Sequence, residues 1–256
     1  FTGFAQNDLS EFLRFIIDCF HESIKRPVNM KISGISEGEL DDMAIKCYTM
    51  MKNMYNKEYS EILSLFYGIQ VSEICSLETS ESLSITPEPY FLIELPIPEN
   101  LNRNKSINLY DCFDIYSEKE ELKGENAWFN ETTQKKENIT KNMLFWNFPD
   151  ILVLALKRFD NFNKKKQTFV DFPIDNLNIS KYVRGYNKHE YVYDLYGIAN
   201  HTGGSMGGHY FAYVKTANDK WYCFNDTRVT EIDSNNLEHE IITQKAYVFF
   251  YRKKKL

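Results

Sequence analysis

The chain has 256 residues, 43% of them hydrophobic and 15% aromatic, which is enough apolar mass for a core of ordinary size in one domain or two lobes. Its formal charge of −6 argues against a nucleic-acid partner and fits a basic one. No apolar run approaches the ~18 residues of a membrane span, and the N-terminus lacks the pattern of a signal peptide.

The first predicted element is a helix, because Leu9, Phe12, Leu13, Ile16, Ile17, Phe20 and Ile24 recur at the spacing of a helical stripe. Asp8, with Glu11 three residues on, reads as its capping box. After a glycine-bounded loop over 34–38, a second helical stripe carries Leu40, Met43, Cys47, Met50, Met51 and Met54, with the methionines as core filler. Ser60 is placed to cap a short helix over 61–66, ended by Gly68. From Ile69 to about Phe145 the pattern turns to short strands and polar turns, with one helix around 109–117. Residues 150–159 (DILVLALKRF) form a nearly continuous apolar run, as expected of a central strand buried on both faces. Strands follow over 191–199 and 246–251, and the basic clusters at 164–166 and 252–255 read as solvated strand ends.

Residues 201–229 carry the chemistry. Two aromatic and β-branched runs, 210–214 and 221–224, flank 216–219 and predict a β-hairpin. His209 opens the first strand, and Asn225 and Asp226 close the second. Antiparallel pairing sets the start of one strand beside the end of the other, with facing Cα atoms roughly 4.5–5.5 Å apart. An imidazole beside an amide or a carboxylate is the general-base half of a nucleophilic triad. One register puts His209 opposite Asn225 through an odd-length turn, and another puts it opposite Asp226 through a four-residue loop. A one-residue slip moves side chains to the other face, so only one of the two can be the partner. Gly207 and Gly208 let a second backbone approach closely. His201 reads as a loop residue, and 202–206 as a mobile flap over a bound peptide.

GGHY, followed by an aromatic strand and then W-x-x-F-N-D, resembles the histidine box of the ubiquitin-specific proteases, the papain-like deubiquitinating enzymes. Gln6-Asn7-Asp8 with Glu11-Phe12-Leu13 resembles the family's Q-x-D…E-F-L box, and Leu156-Lys157-Arg158-Phe159 its L-K-R-F. The boxes lie in the family's order, and residues 90–98 and 110–128 resemble intervening segments. The resemblance implies an α+β, papain-like fold of thumb (1–61, lacking its beginning), fingers (mostly 62–142) and palm (143–256). It implies His209 as base, Asn225 as the residue that orients it, and Asp226 as rival or helper. Gly207, Gly208 and Tyr210 would line the channel for ubiquitin's C-terminal tail, and Asp8 would contact the basic part of that tail. The partner is ubiquitin or ubiquitinated proteins, and no cofactor is required.

Two departures stand out. The family's cysteine box lies upstream of the Q-x-D box and does not occur here, and the chain begins at Phe1 rather than Met, so the nucleophile is expected in a preceding segment of a longer protein. Cys19 and Cys47 lie on apolar helix stripes, Cys112 adjoins Phe113, and Cys223 shares the hairpin with the base, without the helix N-terminus or facing histidine that activates a thiol. Many relatives hold zinc with two C-x-x-C pairs in the fingers. Here Cys75 is the sole remnant, so no metal site is expected. Five cysteines without paired spacing also predict reduced thiols in the cytosol or nucleus. The rival from another class is a ubiquitin-binding module without catalysis. A zinc hydrolase built on His201 and His209 lacks a third ligand at suitable spacing.

Overall fold

The computed structural model describes residues 7–99, 106–204 and 207–255. Gln6 of the Q-x-D box, and Ser205 and Met206 of the expected flap, lie outside the described residues. Three helices come first: α1 (Leu9–Ile24), α2 (Glu39–Glu58) and α3 (Glu61–Phe66). The Asp8 side chain caps α1 by accepting from the backbone N–H groups of Ser10 at 2.8 Å and Glu11 at 3.1 Å. Ser60 caps α3 through the Leu63 amide, so both starts follow from short polar side chains placed one residue ahead of the helix.

A four-stranded sheet follows in the order Ser82–Tyr90, Gly68–Ser76, Ile139–Asn147, Glu120–Leu122. Met43, Ala44 and Cys47 of α2 are buried against Ile69, Val71 and Trp146 of this sheet, with Met50 and Met51 partly buried beside them. The main sheet runs Arg228–Glu231, Trp221–Asn225, Gly207–Lys215, Val192–Gly204, Ala246–Lys253, Ile151–Leu156, Leu92–Leu95. Ile151–Leu156 is not central but second from the Leu92–Leu95 edge, and it is buried on both faces because α1 and α3 cover one side and the larger core the other. Leu152, Leu154 and Leu156 enter the larger core, while Val153 and Ala155 face the opposite one with Ile17 of α1. Period-two alternation with apolar residues on both faces is the physical reason the segment reads as one unbroken apolar run. The remaining helices are α4 (Leu109–Tyr116) and α5 (Leu237–Ile241); nothing in the sequence pattern had singled out α5. Among the described residues, no helix is long and apolar enough to cross a membrane.

α3 spans Glu61–Phe66, as the Ser60 cap predicts, and packs against the main sheet through Ile62 and Phe66. Leu109, Cys112 and Phe113 of α4 are fully buried in the larger core beside Leu152 and Phe249, so this part of 62–142 belongs with the main sheet. The apolar stripe of α1 is only half used. Leu9, Leu13 and Ile17 pack on the sheet, while Cys19, Phe20 and Ile24 are exposed. Cys19 is therefore not the buried hydrophobe its stripe predicted.

Candidate active site

The hairpin forms, in a register that neither expectation named. Ala212 stands opposite Phe224 and Lys215 opposite Trp221, joined by a loop over 216–220 that includes Asp219 at φ 62°. A left-handed residue closing a longer turn shifts the pairing relative to a simple four-residue loop. Continuing this register puts Asn225 across from Phe211, two positions from His209 on the same face. A two-residue shift preserves the face, so His209 and Asn225 become diagonal neighbours, within reach of their side chains. His209 Nε2 lies 2.6 Å from Asn225 Oδ1. With the amide oxygen toward the ring, Nε2 carries the proton and Nδ1 is the basic nitrogen. Asp226 sits in the turn after the strand with φ 51°, its Oδ2 3.8 Å from Nε2 and its side chain 76% exposed. The amide makes the hydrogen bond, and the carboxylate adds a solvent-screened charge.

The opposite face of the same strand is a packed aromatic cluster. His201 is not a loop residue. Strand Val192–Gly204 carries it opposite Tyr210, and it is buried. Its ring lies tilted against Tyr210 at 4.6 Å between centroids, with Tyr247 at 6.2 Å. Burial, then the nearby Lys165, pulls the imidazole below its ordinary 6.5. The expected flap is likewise mostly strand, with Thr202 opposite His209, Gly203 opposite Gly208 and Gly204 opposite Gly207. Tyr210 is half-buried in this cluster, on the face away from His209, while Phe211 packs on the larger core.

The glycines divide by cause. A Cβ on Gly208 would stand 2.2 Å from His201 Nε2 and 2.7 Å from the Thr202 carbonyl, and Gly203 has φ +89°. Gly207 has nothing within 4 Å of its missing Cβ and no left-handed backbone. The fold needs the first two and leaves the third unexplained. Gly208→Ala is therefore expected to cost ~1–3 kcal/mol by overpacking, and Gly207→Ala less than ~0.5 kcal/mol. Thermal denaturation of the two variants checks this, and equal midpoints would contradict it.

Arg158, flagged by its motif without a role, proves to be the largest fully buried side chain. Its Nε donates to the Ala246 carbonyl at 2.7 Å, and one terminal nitrogen donates to the carbonyls of Lys166 at 3.2 Å and Thr168 at 2.9 Å. Burial pulls its guanidinium down to about 10. Lys165, expected in a solvated cluster, instead donates to the His201 carbonyl at 2.6 Å. Together these two cations tie the 159–168 segment to the strands behind His209. Charge and motif were visible in the sequence, but not the carbonyls they serve.

No described thiol stands ready as nucleophile. Burial pushes Cys47 and Cys112 up to about 12 and raises Cys75 and Cys223. Cys223 shares the face of Asn225, but it pairs with Tyr213, four residues or roughly 13 Å of strand beyond His209. A structural zinc does not fit the fingers either, since Cys75 faces Ser82 and Thr140 across its two neighbouring strands. Hairpin Trp128–Asn130 with Lys135–Glu137 is closed by side chains. Asn130, 7% exposed, accepts from the amides of Thr132 and Thr133 and donates to Glu137. Among the described residues, His21, Glu22 and Glu58 bring ligand atoms within 4.8 Å, but the Lys25 ammonium already bridges both carboxylates, at 2.6 and 3.2 Å. Asn130→Ala is expected to lower stability by ~1–3 kcal/mol, the cost of unsatisfied buried groups, while a strong chelator leaves the midpoint unchanged. A drop on chelation would overturn the metal-free reading of the fingers.

Comparison with known proteins follows the same lines. Residues 1–251 match the family Ubiquitin carboxyl-terminal hydrolase. Ubiquitin carboxyl-terminal hydrolase 2 of Gallus gallus is 32% identical over 256 residues, covering 98% of this chain and 69% of the relative. Ubiquitin carboxyl-terminal hydrolase 10 of Arabidopsis thaliana is 41% identical over 155 residues, 59% of this chain and 16% of that protein. The SAGA Ubp8/Sgf11/Sus1/Sgf73 DUB module bound to ubiquitin aldehyde matches with a TM-score of 0.70 at 26% identity, covering 99% of this chain and 50% of that one. The chain thus spans only part of the length of each of these relatives.

Proposed function

The chain belongs to the ubiquitin carboxyl-terminal hydrolase family, and from that premise we propose that it supplies the base half of a thiol hydrolase cutting the isopeptide or peptide bond after ubiquitin's C-terminal glycine. The observation that carries this reading is the 2.6 Å bond from His209 Nε2 to Asn225 Oδ1. It holds the ring in one tautomer and leaves Nδ1 to take a thiol proton. The nucleophile is a cysteine preceding Phe1. Its thiolate attacks the glycine carbonyl, the imidazolium returns the proton to the leaving amine, and water then splits the thioester to free the carboxylate and the thiol. Asp226 stabilises the imidazolium through its charge. Gly207 and Gly208 border the path of the narrow Gly-Gly tail, with Tyr210 beneath them, and Asp8 meets the basic residues of the tail.

Ubiquitin is the proposed partner, a reading supported by the ubiquitin-aldehyde complex of the SAGA DUB module. Five free cysteines support a reducing compartment, cytosol or nucleus. The test is release of a reporter amine from the C-terminus of ubiquitin by the full-length protein. Turnover supports the hydrolase, and saturable ubiquitin binding without turnover would favour the binding module instead.

A further inference from the structure

The Asp8 carboxylate is fixed from both sides of the molecule. Its Oδ1 caps α1 through two backbone N–H groups. Its Oδ2 accepts from the hydroxyl of Tyr247 at 2.8 Å, a residue 239 positions away on the last strand of the main sheet. Tyr247 is 6% exposed and packed among Phe159, His201 and Tyr210, with ring centroids 6.2–6.3 Å away. Burial first, then the Asp8 bond, raises its phenol far above 10, so the hydroxyl stays a donor. Helix capping needs only Oδ1. The second oxygen, on a residue that is itself exposed, is therefore held still by a buried ring for some other purpose. Among the described residues these three bonds hold both oxygens in place, and the residue as a whole is exposed, so its charge meets solvent in a set orientation. A pre-oriented anion recognises a guanidinium or ammonium group without first losing side-chain entropy.

We propose that Tyr247 is a positioning residue that aims the Asp8 carboxylate at a cationic side chain of the ubiquitin tail. The proposal rests on the ubiquitin reading above and adds the element that makes Asp8 selective. It also explains why a palm residue and a thumb cap touch at all: the bond ties the start of α1 to the strand beside Val192–Gly204, so the recognising charge keeps its place relative to the His209 hairpin.

The experiment is titration of the full-length protein with free ubiquitin, which is not turned over, and with ubiquitin whose basic tail residues are replaced by alanine. Tyr247→Phe is expected to weaken binding of ordinary ubiquitin about three- to tenfold, the range of one hydrogen bond, and of the neutral-tailed ubiquitin less than about twofold. Asp8→Asn keeps a competent cap but loses the charge, so it should abolish the difference between the two ubiquitins. In that background Tyr247→Phe should add nothing. If Tyr247→Phe weakens both ubiquitins alike, or Asp8→Asn preserves discrimination between them, the proposal is overturned and Tyr247 is only packing. Turnover by a wild type that binds both ubiquitins equally would overturn it while leaving the hydrolase reading intact. Binding of neither would sink the ubiquitin reading itself.

Discussion

His209→Ala in the full-length protein is expected to lower hydrolysis of ubiquitin amides by ~10²–10⁴-fold, the usual consequence of removing a general base. The fold should survive, because the His209 side chain is 45% exposed and its hydrogen bond goes to Asn225, at the exposed end of the neighbouring strand. Substitutions at such positions stay within about 0.5 kcal/mol of wild-type stability. Activity within tenfold of wild type would remove His209 from the mechanism. The neighbours supply the internal control. Asn225→Ala frees the ring to tilt and to change tautomer, so it should cost more than Asp226→Asn. The latter removes a charge at 3.8 Å and keeps a residue that tolerates the left-handed turn. The reverse order would hand the orienting role to Asp226.

Local rules carried much of the fold. Ser60 ahead of α3, the stripe of α2, and the apolar run at 150–159 each encode their element within a few residues, although the strand of that run is shorter, Ile151–Leu156. The pairing of the site was less legible. His209 was legible as the candidate base, but Asn225 and Asp226 both stayed open as its neighbour, because the register depended on Asp219 adopting φ 62° and lengthening the turn, a choice that any short polar loop can make. The observed register differs by two residues from the one that faced His209 with Asn225, and such a shift keeps the same side chains on the same face. His201 was misread because two glycine pairs look like a loop, whereas here they pair with each other across two strands, and Gly208 leaves room for the buried His201 ring. Links across long separations left no trace in the pattern at all. Tyr247 to Asp8 and Arg158 to Ala246 join residues 239 and 88 positions apart, and only the assembled sheet brings them into contact.

The second large effect concerns the nucleophile. Residues 1–256 expressed alone should give no adduct with a ubiquitin bearing a C-terminal electrophile, whereas the full-length protein should be labelled at one cysteine preceding Phe1. Reaction requires thiolate, and burial raises the thiols of Cys47, Cys75, Cys112 and Cys223 away from it. Cys19 is exposed on α1, but it lies more than two helical turns from the Asp8 end that ties to the main sheet. The proposed base meanwhile has its partner, with His209 Nε2 2.6 Å from Asn225 Oδ1, and in that arrangement Nδ1 is the nitrogen that would accept the thiol proton. A base so prepared acts on a thiol only within hydrogen-bond reach, about 2.6–3.2 Å, and none of the five cysteines has that place. Mass mapping of the adduct decides the matter. A label on Cys223 would mean that the hairpin itself carries the nucleophile, against its pairing with Tyr213. A full-length protein that binds ubiquitin but takes no label would make the His209–Asn225 pair a relic within a binding module.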